Sequence, residues 1–232
     1  MTVLINACKW DVATLFGNYY THDILENWLK KNNIDYIILD SNDATRSKWE
    51  DALKNKDITH TTGCGHGNEY IFSGQYAEAL FNKYENIDLG KDKTHAWLSC
   101  LCGVSNGIQD QMVKEHGAKA TQGYNREFAF VVSRSSPPDD TAFVFFDSHY
   151  EFDISYFVYN DWKTAHEQQI KKFDYYLSQD LPDIVKQWLL WDRNGSVIYL
   201  PPSPQPPEKR TIKLKGYVFS QRIPIILEGS IE

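Results

Sequence analysis

The sequence predicts an α/β fold built on a mostly parallel sheet. Three observations carry that reading. Over residues 1–125, short apolar runs alternate with stretches of helical spacing, the pattern of βαβ units. The longest apolar runs are about five residues, the length of a buried strand, as in Ala142-Phe143-Val144-Phe145-Phe146. The chain has 232 residues, 42% of them hydrophobic and 14% aromatic, enough to bury one sizeable core.

Each element has its own local signal. Val3-Leu4-Ile5 opens the first strand. Thr21 is placed to cap a helix with Ile24, Leu25, Trp28 and Leu29 as its apolar stripe, acids early and Lys30 and Lys31 late, the order that suits the helix dipole. Residues 35–39 form a second strand, and Ser47-Lys48-Trp49-Glu50 has capping-box spacing. The run from Ile58 is a third strand leading to His66, and Ser73 is read as the cap of a helix through Tyr76, Ala77, Leu80 and Phe81. Ala96-Trp97-Leu98 is a fourth strand ending at Cys100. Ser105 is read as the cap of a helix carrying Ile108, Met112 and Val113, with Gly117 at its exit. Residues 118–122 form a fifth strand; 127–132 and 142–146 are read as strands flanking a Pro137-Pro138-Asp139-Asp140 turn. Beyond residue 150 the spacing turns helical, with one helix marked by Trp162, Ala165, Phe173 and Leu177 and another capped by Asp180. A short strand over 196–200 precedes a proline-rich spacer at 201–210 and a β-type extension at 211–232.

Composition excludes several classes of function. A net charge of −7 with no basic stripe argues against nucleic acid as a partner. No apolar run is long enough for a transmembrane helix, and the N-terminus turns polar too soon for a signal peptide. Four cysteines in a chain of 232 residues do not make a disulfide framework; free thiols and a cytoplasmic location are expected.

Two segments bear chemistry. Ile58-Thr59-His60-Thr61-Thr62-Gly63-Cys64-Gly65-His66-Gly67-Asn68 and His95-Ala96-Trp97-Leu98-Ser99-Cys100-Leu101-Cys102-Gly103 each end a strand in a reactive side chain beside glycine. If the two strands are parallel neighbours, an imidazole and a thiol meet at the carboxyl edge, where α/β sheets bind ligands. Imidazole and thiol are the minimum machinery for cysteine-based acyl transfer. His60 lies inside the apolar run and points to a sheet face, so His66, past the strand end, is the favoured base. The N–H groups of Gly67 and Cys100 are candidate donors to an oxyanion.

Apolar-His-Gly followed by apolar-Ser-Cys resembles the caspase-like cysteine peptidases: caspases, legumain, gingipain, clostripain, separase and the bacterial CHAT domains. Their pattern of small residue then cysteine matches Ser99-Cys100 better than Cys102. Gly117-Ala118-Lys119-Ala120-Thr121-Gln122-Gly123-Tyr124 is similar to the strand after the nucleophile in CHAT-like and gingipain-like members, and 189–200 is similar to the closing segment of bacterial members. The resemblance covers roughly residues 1–200 and lacks the Gln-Ala-Cys-Arg-Gly form of true caspases, so aspartate specificity is not implied.

It implies a caspase-like three-layer αβα sandwich over 1–200 and a cysteine endopeptidase with Cys100 as nucleophile and His66 as general acid/base. It implies no cofactor and a protein or peptide substrate, with room for an activating protein partner. Family members often line the substrate pocket just past the first strand, where Asp11 stands; an acid there implies cleavage after Lys or Arg. A capping or solvated Asp11 is the competing reading, and Asp147 is a weaker candidate. Without an acid in the pocket, Trp10, Tyr19, Tyr20 and Trp97 are near enough in sequence to line it and give a hydrophobic preference. Two rivals remain: a non-catalytic interaction module of the same fold, and a zinc site from Cys64, His66, Cys100 and Cys102, whose one-residue spacings are unlike zinc knuckles. A phosphate loop over 63–67 lacks the Lys-Ser/Thr of a P-loop.

Overall fold

The computed structural model describes residues 2–202. A six-stranded sheet runs through them in the order β2-β1-β3-β6-β7-β8. Its strands are β1 (Thr2–Ala7), β2 (Asp35–Asp40), β3 (Ile58–Cys64), β6 (Thr94–Leu98), β7 (Ala120–Tyr124) and β8 (Ser196–Tyr199). All neighbours pair in parallel except β7 and β8, which are antiparallel. A separate hairpin of β4 (Ile71–Ser73) and β5 (Ala79–Asn82) follows the His66 loop. The helices are α1 (Val12–Tyr20), α2 (Asn27–Lys31), α3 (Arg46–Leu53), α4 (Ile108–Lys114), α5 (Asp140–Tyr159), α6 (Trp162–Ser178) and α7 (Asp183–Gly195).

Period-two alternation sorts the strand residues onto two cores. Leu4 and Trp97 face Trp49 and Leu53 of α3 and Ile108 and Met112 of α4. Val3, Ile5, Cys64 and Leu98 face Phe16 and Tyr20 of α1, Phe145 and Phe146 of α5, Phe173 of α6 and Leu189 of α7. Helices therefore cover both faces of the sheet, as the alternating pattern of the sequence requires. No helix among the described residues is long and apolar enough to cross a membrane.

Four local expectations are corrected. Thr21 does not cap a helix: its hydroxyl donates to the Gly17 carbonyl one turn back, and a π turn over Thr21–Glu26 joins α1 to α2. The cap lies ten residues earlier, at Asp11. Residues 73–81 form the β4–β5 hairpin rather than a helix, with Tyr76 and Ala77 in the left-handed region at φ 53° and 60°. Phe72 and Phe81 pair across it and stack on Trp97 at 4.6 and 5.3 Å, a tertiary contact that outweighs the helical spacing of Tyr76, Ala77, Leu80 and Phe81. The apolar run 142–146 is not a strand but the first turns of α5, capped by Asp139, which accepts from the Thr141 and Ala142 N–H groups. Residues 127–132 carry no regular structure and cross the sheet edge as an irregular strap. Helix starts also move: Gly107 rather than Ser105 precedes α4, and Pro182 rather than Asp180 precedes α7. The expected β-type extension over 211–232 lies outside the described residues.

Candidate active site

The register of β3 against β6 builds the site. Cys64 pairs with Leu98, so His66 and Cys100 each stand two residues beyond one aligned pair. Both line a cleft of about 90 Å³ at the carboxyl edge. Cys64 and Leu98 line it from the strand ends, Ala13 and Thr14 from α1, and Phe128 and Phe130 from the strap after β7.

The two loops are tied down by close approach. Gly63 has φ 112°, and a Cβ there would lie 2.1 Å from the Asn6 carbonyl oxygen. A Cβ on Gly67 would meet Ser99 Oγ at 2.2 Å and Cys102 Sγ at 2.7 Å, so only glycine lets the histidine loop lie against the cysteine loop. The His66 carbonyl accepts from both the N–H and the hydroxyl of Ser73, each at 2.9 Å, which anchors the loop to β4. Beyond Cys100, Leu101 takes a left-handed conformation at φ 59°, unusual for a branched residue. The Leu101 N–H donates to the Arg126 carbonyl and that of Gly103 to the Tyr124 carbonyl, holding the elbow against the strand of β7.

His66 is oriented by a residue from a third element. Its Nε2 lies 2.6 Å from Asp11 Oδ2, and the Trp10 ring meets it edge-on at 5.4 Å. Asp11 is itself fixed. Its Oδ1 accepts from the N–H and hydroxyl of Thr14, and the Thr14 hydroxyl accepts from the Asp11 N–H, a complete capping box at the start of α1. Gln75 clamps Lys9 through both its amide atoms and so holds the loop before Asp11. Burial alone would raise the Asp11 carboxyl, but its bonds to Thr14 and His66 outweigh this and hold it below the usual carboxylate value of 3.8. A carboxylate can only accept, so Nε2 is the donor in this bond, and in the neutral imidazole the lone pair is then on Nδ1. Nδ1 makes no hydrogen bond among the described residues, and none joins His66 to Cys100.

Of the four cysteines, all free, Cys100 alone is partly exposed. Burial raises its thiol above the ordinary 9.0, and the neighbouring Glu127 and Asp192 add to this; Sγ faces the Phe128 carbonyl oxygen at 3.9 Å. The thiol is therefore protonated at neutral pH. Cys102 is fully buried, donates to the Ile71 carbonyl at 3.3 Å and is pushed up to about 12 by burial. The N–H groups of Gly67 and Cys100 donate no hydrogen bond among the described residues; Cys100 lines the cleft and Gly67 follows His66, which does.

The other sequence candidates lie elsewhere. His60 is fully buried within β3, between Thr94 and Asp153 of α5. Asp147 pairs with Lys172 and accepts from the Tyr176 hydroxyl, between α5 and α6. Asp11 stands beside the cleft without lining it, and Trp10, Tyr19, Tyr20 and Trp97 do not line it either. Sequence reading singled out Asp11 but not its bond to His66, because a partner 55 residues away leaves no local signal. Phe128 and Phe130 were assigned to a strand, not to a wall of the cleft. Among the described residues no group of three or more His, Cys, Asp or Glu side chains is placed to hold a metal.

No protein-family model matches the chain, and a comparison with curated proteins finds no match.

Proposed function

We propose that the protein is a cysteine endopeptidase with the caspase-like arrangement of an αβα sandwich. The observation that carries this reading is the β3–β6 register, which sets a histidine and the one partly exposed cysteine at equivalent positions on one cleft. Cys100 is the nucleophile. Because burial keeps its thiol protonated, attack requires a base at that moment, and Nδ1 of His66 takes the proton as sulfur adds to the substrate carbonyl. Asp11 holds the imidazole in the required tautomer and steadies the imidazolium that forms. The N–H groups of Gly67 and Cys100 receive the oxyanion. His66 then returns the proton to the leaving amine, and water hydrolyses the thioester.

The test is turnover of a fluorogenic peptide library together with labelling by an electrophilic peptide probe. Cys100→Ala should fall to background, and His66→Ala should lose about 10²–10⁴ in rate. The probe should modify Cys100 before Cys8, Cys64 or Cys102. Undiminished turnover by Cys100→Ala, or labelling led by another cysteine, sinks the mechanism.

A further inference from the structure

The same cleft carries information about its substrate, and this inference rests on the peptidase reading. Beside Cys100 the cleft offers about 90 Å³, the scale of one short side chain. Its apolar lining is Ala13, Cys64, Leu98, Phe128 and Phe130, with Thr14 beside them. No acidic or basic side chain other than His66 lines it. The acids beside Cys100, Glu127 and Asp192, do not line the cleft, and Asp11 has one oxygen taken by Thr14 and the other by His66.

We propose that the cleft selects a short uncharged apolar residue, of the size of alanine, valine or leucine, on the acyl side of the scissile bond. Two physical arguments support this. A Lys or Arg side chain placed there would give up hydration with no carboxylate in the lining to receive it, and burying an unpaired charge is far costlier than burying a methyl group. The volume, about 90 Å³, is smaller than the roughly 150 Å³ cavity that holds benzene in another protein, so a short side chain fits better than a ring.

Phe128 and Phe130 are the specificity-determining residues. They are not free to swing. Phe130 packs on Phe16 and Phe146 at 5.6 and 5.0 Å, and Phe128 on Tyr124 at 4.9 Å. The strap that bears them is pinned from α7: the Trp191 indole N–H donates to the Glu127 carbonyl at 2.8 Å, and the buried Asp192 accepts from the Ala129 N–H at 3.0 Å. A pocket walled by pinned aromatic rings has a fixed size, so it discriminates by shape as well as by charge.

The experiment is a positional scan of fluorogenic tetrapeptides varied only at the residue before the scissile bond. It is run on the full chain, on Phe130→Ala and on Phe130→Asp. Wild type should favour Ala, Val or Leu over Lys, Arg and Asp by at least about 10² in kcat/KM, the scale on which pockets discriminate. Phe130→Ala should admit Phe and Met, and Phe130→Asp should move the preference toward Lys and Arg. If either variant fails to fold, the wild-type scan decides alone. Turnover that depends on Cys100 but is led by Lys, Arg or Asp overturns this inference and leaves the peptidase reading standing. Absence of any Cys100-dependent turnover overturns both.

Discussion

At the scale of single residues, the assignment that matters most is Asp11. The same side chain was a plausible specificity acid by its position after the first strand and a plausible helix cap by its spacing to Thr14. The structure gives it the cap and a bond to His66. The two roles are separable in one variant. Asparagine is as good an N-cap as aspartate, so Asp11→Asn should leave stability within about 1 kcal/mol of wild type. It cannot hold the imidazole in the same tautomer or compensate its charge, so kcat should fall by at least about tenfold, by a common factor for basic, apolar and acidic peptides. A loss confined to Lys and Arg peptides would return Asp11 to the substrate pocket.

At the scale of elements, the proposed function depends on two loops that touch. The histidine loop leaves β3, the cysteine loop leaves β6, and Gly67 is the point at which they meet. Gly67→Ala should leave far-UV circular dichroism nearly unchanged, because the residue lies outside every helix and multi-residue strand and makes only a single bridge to Phe72. The added methyl clashes with Ser99 Oγ, Cys102 Sγ and the Ile71 carbonyl together, which shifts one proposed oxyanion donor and the histidine beside it. Loss of one such donor typically costs about 10²–10³ in rate, and a fall of that size in kcat is expected. Cys100-dependent turnover undiminished in Gly67→Ala would show that the loops need not lie so close. The strap 127–132 belongs to this scale too. It has no ladder partner and is held through Trp191 and Asp192, with Arg126 just before it bonded to the cysteine elbow, so α7 shapes a cleft that it does not line.

At the scale of the whole molecule, the core is unusually rich in buried titratable groups, and these tie stability to pH. His95 is fully buried, donates from Nε2 to the Gly90 carbonyl and meets the Thr61 hydroxyl through Nδ1; burial pushes it down to about 3. The unfolded chain binds its proton near 6.5, whereas the folded state resists until about 3. Between those values the unfolded state holds more protons, so stability falls as pH falls. Asp153 and Asp192, raised by burial, act in the opposite direction, so the wild-type curve mixes several groups. Comparison with His95→Gln isolates one. Between pH 6 and 4 wild type should lose about 1.4 kcal/mol per pH unit more than the variant in urea unfolding. Parallel curves would mean that His95 titrates normally in the folded state.

What the sequence determined by itself is the part governed by local periodicity. Alternating runs such as 3–5 and 96–98 specify β1 and β6, and the glycines around His66 and after Cys100 mark where the strands give way to loops. The α/β class with a largely parallel sheet follows from that alternation, and the position of both reactive side chains past strand ends follows from the glycines. Tertiary structure decided everything that depends on a distant partner. Apolar runs of five residues fit a buried strand or a buried helix equally well, so 142–146 became α5 only once Asp139 capped it and both its sides found a core. The 73–81 run became a hairpin because Phe72 and Phe81 gain more against Trp97 than a helix could offer them. The bond from Asp11 to His66 and the aromatic wall of Phe128 and Phe130 were invisible for the same reason. Each joins segments dozens of residues apart, and one sequence records a residue's own propensity but not the neighbour that folding brings to it.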